Sequence, residues 1–410
     1  MPKVYKPNKA FMRLRTAIIY NKRPRHVFLM MLLTILLVLL YSFKRNGSSL
    51  LSILLFQPRT PPTRAPTLSP TTAESFIEGS SPYTPGQLEE AMMKVSTTRE
   101  DFRYDVQFID ECDLFLNPNR TDFYQPYHDV VESLDQYAEA VKGFHTSVHD
   151  LREVPPEEQE ALCGSMNDLL WKQDGDDGGD TIFQTNALSL TRGGYVEQLL
   201  PPLRHPKFCE DPFSLDHLLE IDYLVHDFGA ICRHLTKHPK ARTVFFDLGA
   251  SLEFHGGVDN PALTLLELYQ QFGVTFDHYY AFEYTPLPPA QVFEKIPEFL
   301  LDSYHWFNIP VDAEPSKKNN PWTSLLSRFH EDDFVVIKLD IDTPQVEIPL
   351  IHQLLQEKYS TVVDQLYFEH HVRMKHLYRQ WQRTAWGTLQ DSLDLFTRLR
   401  KTGIAAHSWV

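Results

Sequence analysis

The C-terminal part of the chain is predicted to be an α/β domain built on a Rossmann-like, doubly wound, mostly parallel sheet. Two observations predict this. From residue 241 onward, short apolar runs alternate with stretches of helical periodicity. Several of those runs also end in an acid: Asp247 after "TVFF", Glu283 after "YYAF" and Asp340 after "FVVIKL". Ligands of open α/β sheets bind outside the carboxyl ends of the strands, so polar ends on apolar strands are what such a crevice requires.

The elements before that domain read differently. Residues 1–26 form a basic tail, and residues 1–45 hold ten Lys/Arg with no Asp or Glu. Residues 27–43, "VFLMMLLTILLVLLYSF", carry no charge and fit a short membrane-spanning signal-anchor. Eight basic residues precede it, which predicts a cytosolic N-terminus and a body on the lumenal side. The expected location is therefore a single-pass type II protein of the Golgi or endoplasmic reticulum membrane. Residues 44–84 are rich in Pro, Thr and Ser and read as an extended stem. Beyond residue 45 the chain has 29 basic against 54 acidic residues, a net of −25, which argues against nucleic-acid binding.

Residues 85–240 read as a mostly helical accessory region. "PGQLEEAMMKVSTT", "YHDVVESLDQYAEAVKGF" and "SLDHLLEIDYLVHDFGAICRHLTKH" place apolar residues three and four apart. The acidic run "DGDDGGD" (174–180) reads as a solvated turn, because no Glu stands where a calcium loop needs one. Four cysteines, Cys112, Cys163, Cys209 and Cys232, allow one or two disulfides in an oxidising lumen, with free buried thiols as the alternative. Asn119-Arg120-Thr121 is an acceptor sequence for N-glycosylation if that segment is lumenal.

Within residues 241–410 the strands are expected in "TVFFDLGA", "FDHYYAFEY", "YHWFNIPV", "DFVVIKLDI", "VVDQLYFEHHV" and "IAAHSWV". "DNPALTLLELYQQFG" is a helix punctuated by Asn260, Pro261 and Gly273, and residues 346–358 form another. "GTLQDSLDLFTRLRKTG" puts Leu389, Leu393, Phe396 and Leu399 on one helical face.

Four of these segments, "FFDLGAS", "AFEYTP", "FVVIKLDIDTPQVEIPLI" and "LYFEHHV", resemble in order the strand motifs of class I S-adenosylmethionine-dependent methyltransferases, nearest the FkbM-like branch. The resemblance implies S-adenosylmethionine as cofactor, held by Asp247, Gly249, Ser251, Phe282 and Glu283. Glu283 would clamp the ribose hydroxyls, and Phe282 or Tyr284 would border the adenine. It implies that Asp340 faces the methyl-donor side; Asp342 and His370, at the ends of the fourth and fifth strands, join it as catalytic candidates, with no metal ligands assigned. A lumenal setting makes a glycan or glycoprotein hydroxyl the expected acceptor. The pattern departs from the family at Asp342-Thr343-Pro344, where Glu-Gly-Ala is usual.

Two alternatives stay open. Asp340-Ile341-Asp342 after an apolar strand also suits a GT-A-like glycosyltransferase, with a divalent metal and a nucleotide sugar. The same fold can also serve as an inactive binding module.

Overall fold

The computed structural model describes residues 83, 85–98, 111–170, 194–200, 203–210, 217–251, 261–377, 381 and 384–410. The basic tail, the 27–43 segment, nearly all of the stem and the 174–180 run lie outside the described residues, as does Asn260. Among the described residues no helix is long and apolar enough to cross a membrane.

Six strands form one sheet: β1 (Thr243–Leu248), β2 (His278–Phe282), β3 (Tyr304–Phe307), β4 (Phe334–Leu339), β5 (Gln365–Phe368) and β6 (Ala405–Ser408). Their order is β3-β2-β1-β4-β5-β6, and every neighbouring pair is parallel. The chain moves outward from β1 to β3, then returns to the other side of β1 for β4. The direction therefore reverses between β1 and β4, where an open sheet leaves a crevice at its carboxyl edge.

Every residue of β1, β4, β5 and β6 is buried. That is the signature of parallel strands covered on both faces. Alternate side chains serve two cores. Val244, Phe246 and Leu248 join Val335, Ile337 and Leu339 in one, and Phe245, Val336 and Tyr367 belong to the other.

The helices before the sheet are α1 (Gln87–Thr98), α2 (Glu111–Leu116), α3 (Thr121–Gly143), α4 (Pro156–Asn167) and α5 (Phe228–Lys237). Leu88 and Met92 of α1 and Phe115 of α2 enter the first core; Met166 of α4 and Phe228 and Ile231 of α5 enter the second. Helix α3 contributes to both, Phe123 and Tyr127 to one and Leu134, Tyr137 and Val141 to the other. Two disulfides, Cys112–Cys209 and Cys163–Cys232, close this helical part.

The later helices are α6 (Pro261–Gln271), α7 (Pro289–Lys295), α8 (Pro321–Ser324), α9 (Pro344–Leu354), α10 (Glu357–Ser360) and α11 (Leu389–Lys401). Leu389, Leu393, Phe396 and Leu399 of α11 are fully buried, each stabilising by about 1.5–3 kcal/mol on area grounds. Thr388 and Asp391 cap that helix reciprocally.

One expected helix is shorter than its periodicity suggests. Residues 217–226 are turns, bends and irregular chain, and only Phe228–Lys237 is helical. Backbone donors here bond to distant side chains instead of to carbonyls four residues back. Val225 N–H goes to Glu197 and His226 N–H to the Tyr137 hydroxyl, while Asp227 caps α5 through Ala230 N–H.

Candidate functional site

The carboxyl ends of β1, β2, β4 and β5 open into a cavity of about 990 Å³. Its wall includes Gly249, Ser251, Phe282, Glu283, Asp340, Asp342 and Glu369. Ile309, Val311, Ile341 and Val346 supply apolar surface, and Arg204 reaches in from the helical part of the chain.

Asp247 lies beneath this cavity, not on its wall. It is 4% exposed, accepts from the Tyr279 hydroxyl at 2.5 Å, and pairs with Lys338 Nζ at 3.1 Å. The parallel register sets Asp247 directly opposite Lys338, which is 1% exposed. Lys338 also donates to the Gly249 carbonyl at 3.1 Å and lies 3.5 Å from Asp340 Oδ2. Burial works against its charge, but the two aspartates outweigh it and raise its pKa.

Gly249 has φ +94°, and a Cβ there would lie 1.6 Å from the Asp340 carbonyl oxygen. Its missing side chain lets the turn after β1 pass against the end of β4. Ser251, the next wall residue, is exposed.

Glu283 is half-buried at the end of β2, and its Oε1 accepts from Thr285 N–H at 2.5 Å. Asn308, just after β3, fastens this turn by donating to the Glu283 and Thr285 carbonyls, each at 2.8 Å. Phe282 is buried and stacks on Phe307 with ring centroids 4.7 Å apart.

The end of β5 separates its two histidines. His370 turns away from the cavity, into the core, where Nδ1 meets the Ser392 hydroxyl at 3.0 Å and the ring stacks on Phe368. Burial pushes its pKa down to about 3. It is therefore not part of the cavity wall, contrary to the expectation for a catalytic residue. Glu369 and His371, two apart on the pleat, share the opposite side.

Glu369 is the hub of this side. Its Oε1 accepts from the Arg204 guanidinium and from Trp381 Nε1 at 3.3 Å, and its Oε2 lies 2.6 Å from His371 Nε2. The Arg204 guanidinium lies 5.2 Å from the Trp381 ring centroid, and the His371 ring stacks on the same indole. Burial opposes the ionisation of Glu369, yet Arg204 and His371 outweigh it and hold its pKa down at about 2. Asp340, hydrogen-bonded to Glu369, moves the other way: burial and the neighbouring carboxylate raise its pKa well above the usual range. His371 gains basicity from Glu369 despite its burial.

Comparison of the chain with protein-family models, with curated proteins and with solved structures finds no match in any of the three. The site is therefore read from its own geometry.

Asp340 and Asp342 do not converge. Asp340 turns inward to Lys338 and Glu369, while the Asp342 side chain is 75% exposed and its backbone has φ +54°. His371 Nε2 is 3.6 Å from Asp342 Oδ1. Glu347, on the first turn of α9, is buried and accepts from Ile341 N–H at 2.8 Å. Its burial pushes its pKa up to about 7.

Arg204, Glu347 and Trp381 went unread in the sequence. No local pattern marks them, since Arg204 meets Glu369 across 165 residues. The period of two along "FEHHV" was the available signal for preferring His371 over His370.

Proposed function

We propose that the chain is an S-adenosylmethionine-dependent methyltransferase-like enzyme that methylates a hydroxyl of a glycan or glycoprotein. In this reading residues 27–43 anchor it in a Golgi or endoplasmic reticulum membrane with its body in the lumen. The observation that carries the proposal is Glu283: a carboxylate at the end of β2, on the wall of a cavity at the carboxyl edge of a six-stranded parallel sheet. A carboxylate so placed can accept from both hydroxyls of a ribose.

The charge of the wall supports the same cofactor class. Glu283, Asp342 and Glu369 stand against one guanidinium, Arg204, which is already paired with Glu369. Such a wall repels a diphosphate and suits a cationic sulfonium. Glu283 would hold the ribose, Phe282 and Ile341 would border the adenine, and Gly249 and Ser251 would meet the methionine end. The bound cofactor supplies an electrophilic methyl group. At the mouth, Tyr284 is 75% exposed and Ile309 is 42% exposed, offering an aromatic and apolar platform to a sugar ring. The two disulfides suit an oxidising compartment, and Asn119 lies exposed in a turn where a glycan can be attached.

A second reading, a GT-A-like glycosyltransferase, draws on the exposed carboxylate of Asp342. Against it, Asp340 points elsewhere, so the two aspartates do not face one ion. Thermal shift on the full chain separates the readings. S-adenosylhomocysteine is expected to raise the melting temperature, and Glu283→Ala to abolish that rise without changing the unliganded value. A rise with UDP-sugars plus Mn²⁺ but none with S-adenosylhomocysteine sinks the methyltransferase reading. No response to either leaves a binding module.

A further inference from the structure

The cavity wall that carries Asp342 and Glu369 holds a second constellation. Asp342, Glu369 and His371 each offer one ligand atom, and these atoms all lie within 4.8 Å of one another. They come from different elements: Asp342 from the turn between β4 and α9, Glu369 and His371 from the end of β5. Two are held by outer partners in the way ligands usually are. His371 Nδ1 is held by the Thr384 hydroxyl at 2.6 Å and Nε2 by Glu369 Oε2 at 2.6 Å, so Nε2 faces the carboxylates and an ion there takes the place of its proton. Arg204 and Trp381 occupy one oxygen of Glu369 and leave Oε2 turned toward His371.

Two of the three ligands are fixed in the dry part of the wall: Glu369 is 8% and His371 3% exposed. The cluster of His205, His217 and Glu220 is built differently: His205 Nε2 is turned to Asp222 at 3.0 Å, and Glu220 is exposed.

The geometry points to a divalent-cation site formed by the Asp342 carboxylate, Glu369 Oε2 and His371 Nε2. One imidazole with two carboxylates suits an ion such as Mn²⁺ better than the all-oxygen preference of Ca²⁺. Three protein ligands leave positions open toward the cavity, where the ion can take an oxygen of a bound ligand. None of the three ligands is needed to hold the ribose or adenine, so the site does not depend on the methyltransferase reading.

The test is Mn²⁺ binding by the full-length chain after chelator treatment and dialysis, followed through the paramagnetic resonance of free Mn²⁺. One saturable equivalent is expected. Asp342→Asn is expected to weaken it by at least about 10-fold. That variant keeps the fold, because the side chain is 75% exposed and Asn tolerates the left-handed backbone at φ +54°. His371→Gln is expected to act in the same direction, and Glu294→Gln, remote and exposed, to change nothing. Absence of saturable binding in the wild-type chain overturns the site, and so does unchanged affinity in Asp342→Asn. Loss of S-adenosylhomocysteine binding with Mn²⁺ binding intact counts against the cofactor reading alone.

Discussion

At the scale of single residues, Asp247 changes meaning between sequence and structure. An aspartate ending "TVFF" must be paired, because a lone charge in a dry core is prohibitive. The partner, Lys338, is 91 residues away and becomes a neighbour only when β4 lies beside β1. Pairing was thus legible, and the partner was not. Asp247 therefore supports the floor of the cavity and leaves Glu283 as the acid on its wall. Lys338→Met is expected to destabilise the protein by about 3–5 kcal/mol, since Asp247 and Asp340 lose their shared cation. Asp247→Leu combined with Lys338→Met is expected to recover most of that loss. Urea midpoints of the single and double variants check this; equal losses in both would mean that the ion pair is not what the site depends on.

At the scale of elements, the strands and the last helix were plain in the sequence because burial imposes their periods. Strand β4 is apolar at nearly every position since both its faces are covered, and α11 shows a stripe of three leucines and a phenylalanine because only one face is. The segment 217–226 misled because its apolar spacing is helical while its amides are taken by Glu197 and Tyr137, residues no local window contains. The turns at the carboxyl edge carry the functional geometry. Gly249 is the contact between the β1 turn and the β4 turn that bears Asp340 and Asp342, and the needed φ of +94° is one L side chains rarely adopt. Gly249→Ala is expected to cost more than about 2 kcal/mol, combining backbone strain with the clash on the Asp340 carbonyl. Because the β4 turn must shift, the same variant is expected to weaken ligand binding at the cavity. A variant of unchanged melting temperature would show that the two turns part without cost.

At the scale of the molecule, the helical part and the sheet are not independent bodies joined by a linker. Helices α1, α2 and α3 enter the core that holds β1 and β4 from one face, and α3, α4 and α5 enter the core on the other. A buried polar chain adds to this: Tyr83 donates to Glu89, Arg400 of α11 bonds Tyr83 and Glu197, and Glu197 meets His407 of β6 at 2.8 Å. Arg204 does the same at the cavity by reaching Glu369. None of this could be read from the sequence, where the composition change near residue 241 suggested separate regions. The disulfides cross-link only the helical part, across separations of 97 and 69 residues. Chain-entropy reasoning assigns each about 4–5 kcal/mol through the unfolded state. If the cores are shared, that stabilisation belongs to the sheet as well. Replacing Cys163 and Cys232 together by Ser is therefore expected to lower the temperature of one common transition, seen alike in calorimetry and in S-adenosylhomocysteine or Mn²⁺ binding at the sheet's carboxyl edge. Two separated transitions, with binding at that edge surviving the first, would mean that the helical part unfolds alone and that Arg204 is dispensable to the site.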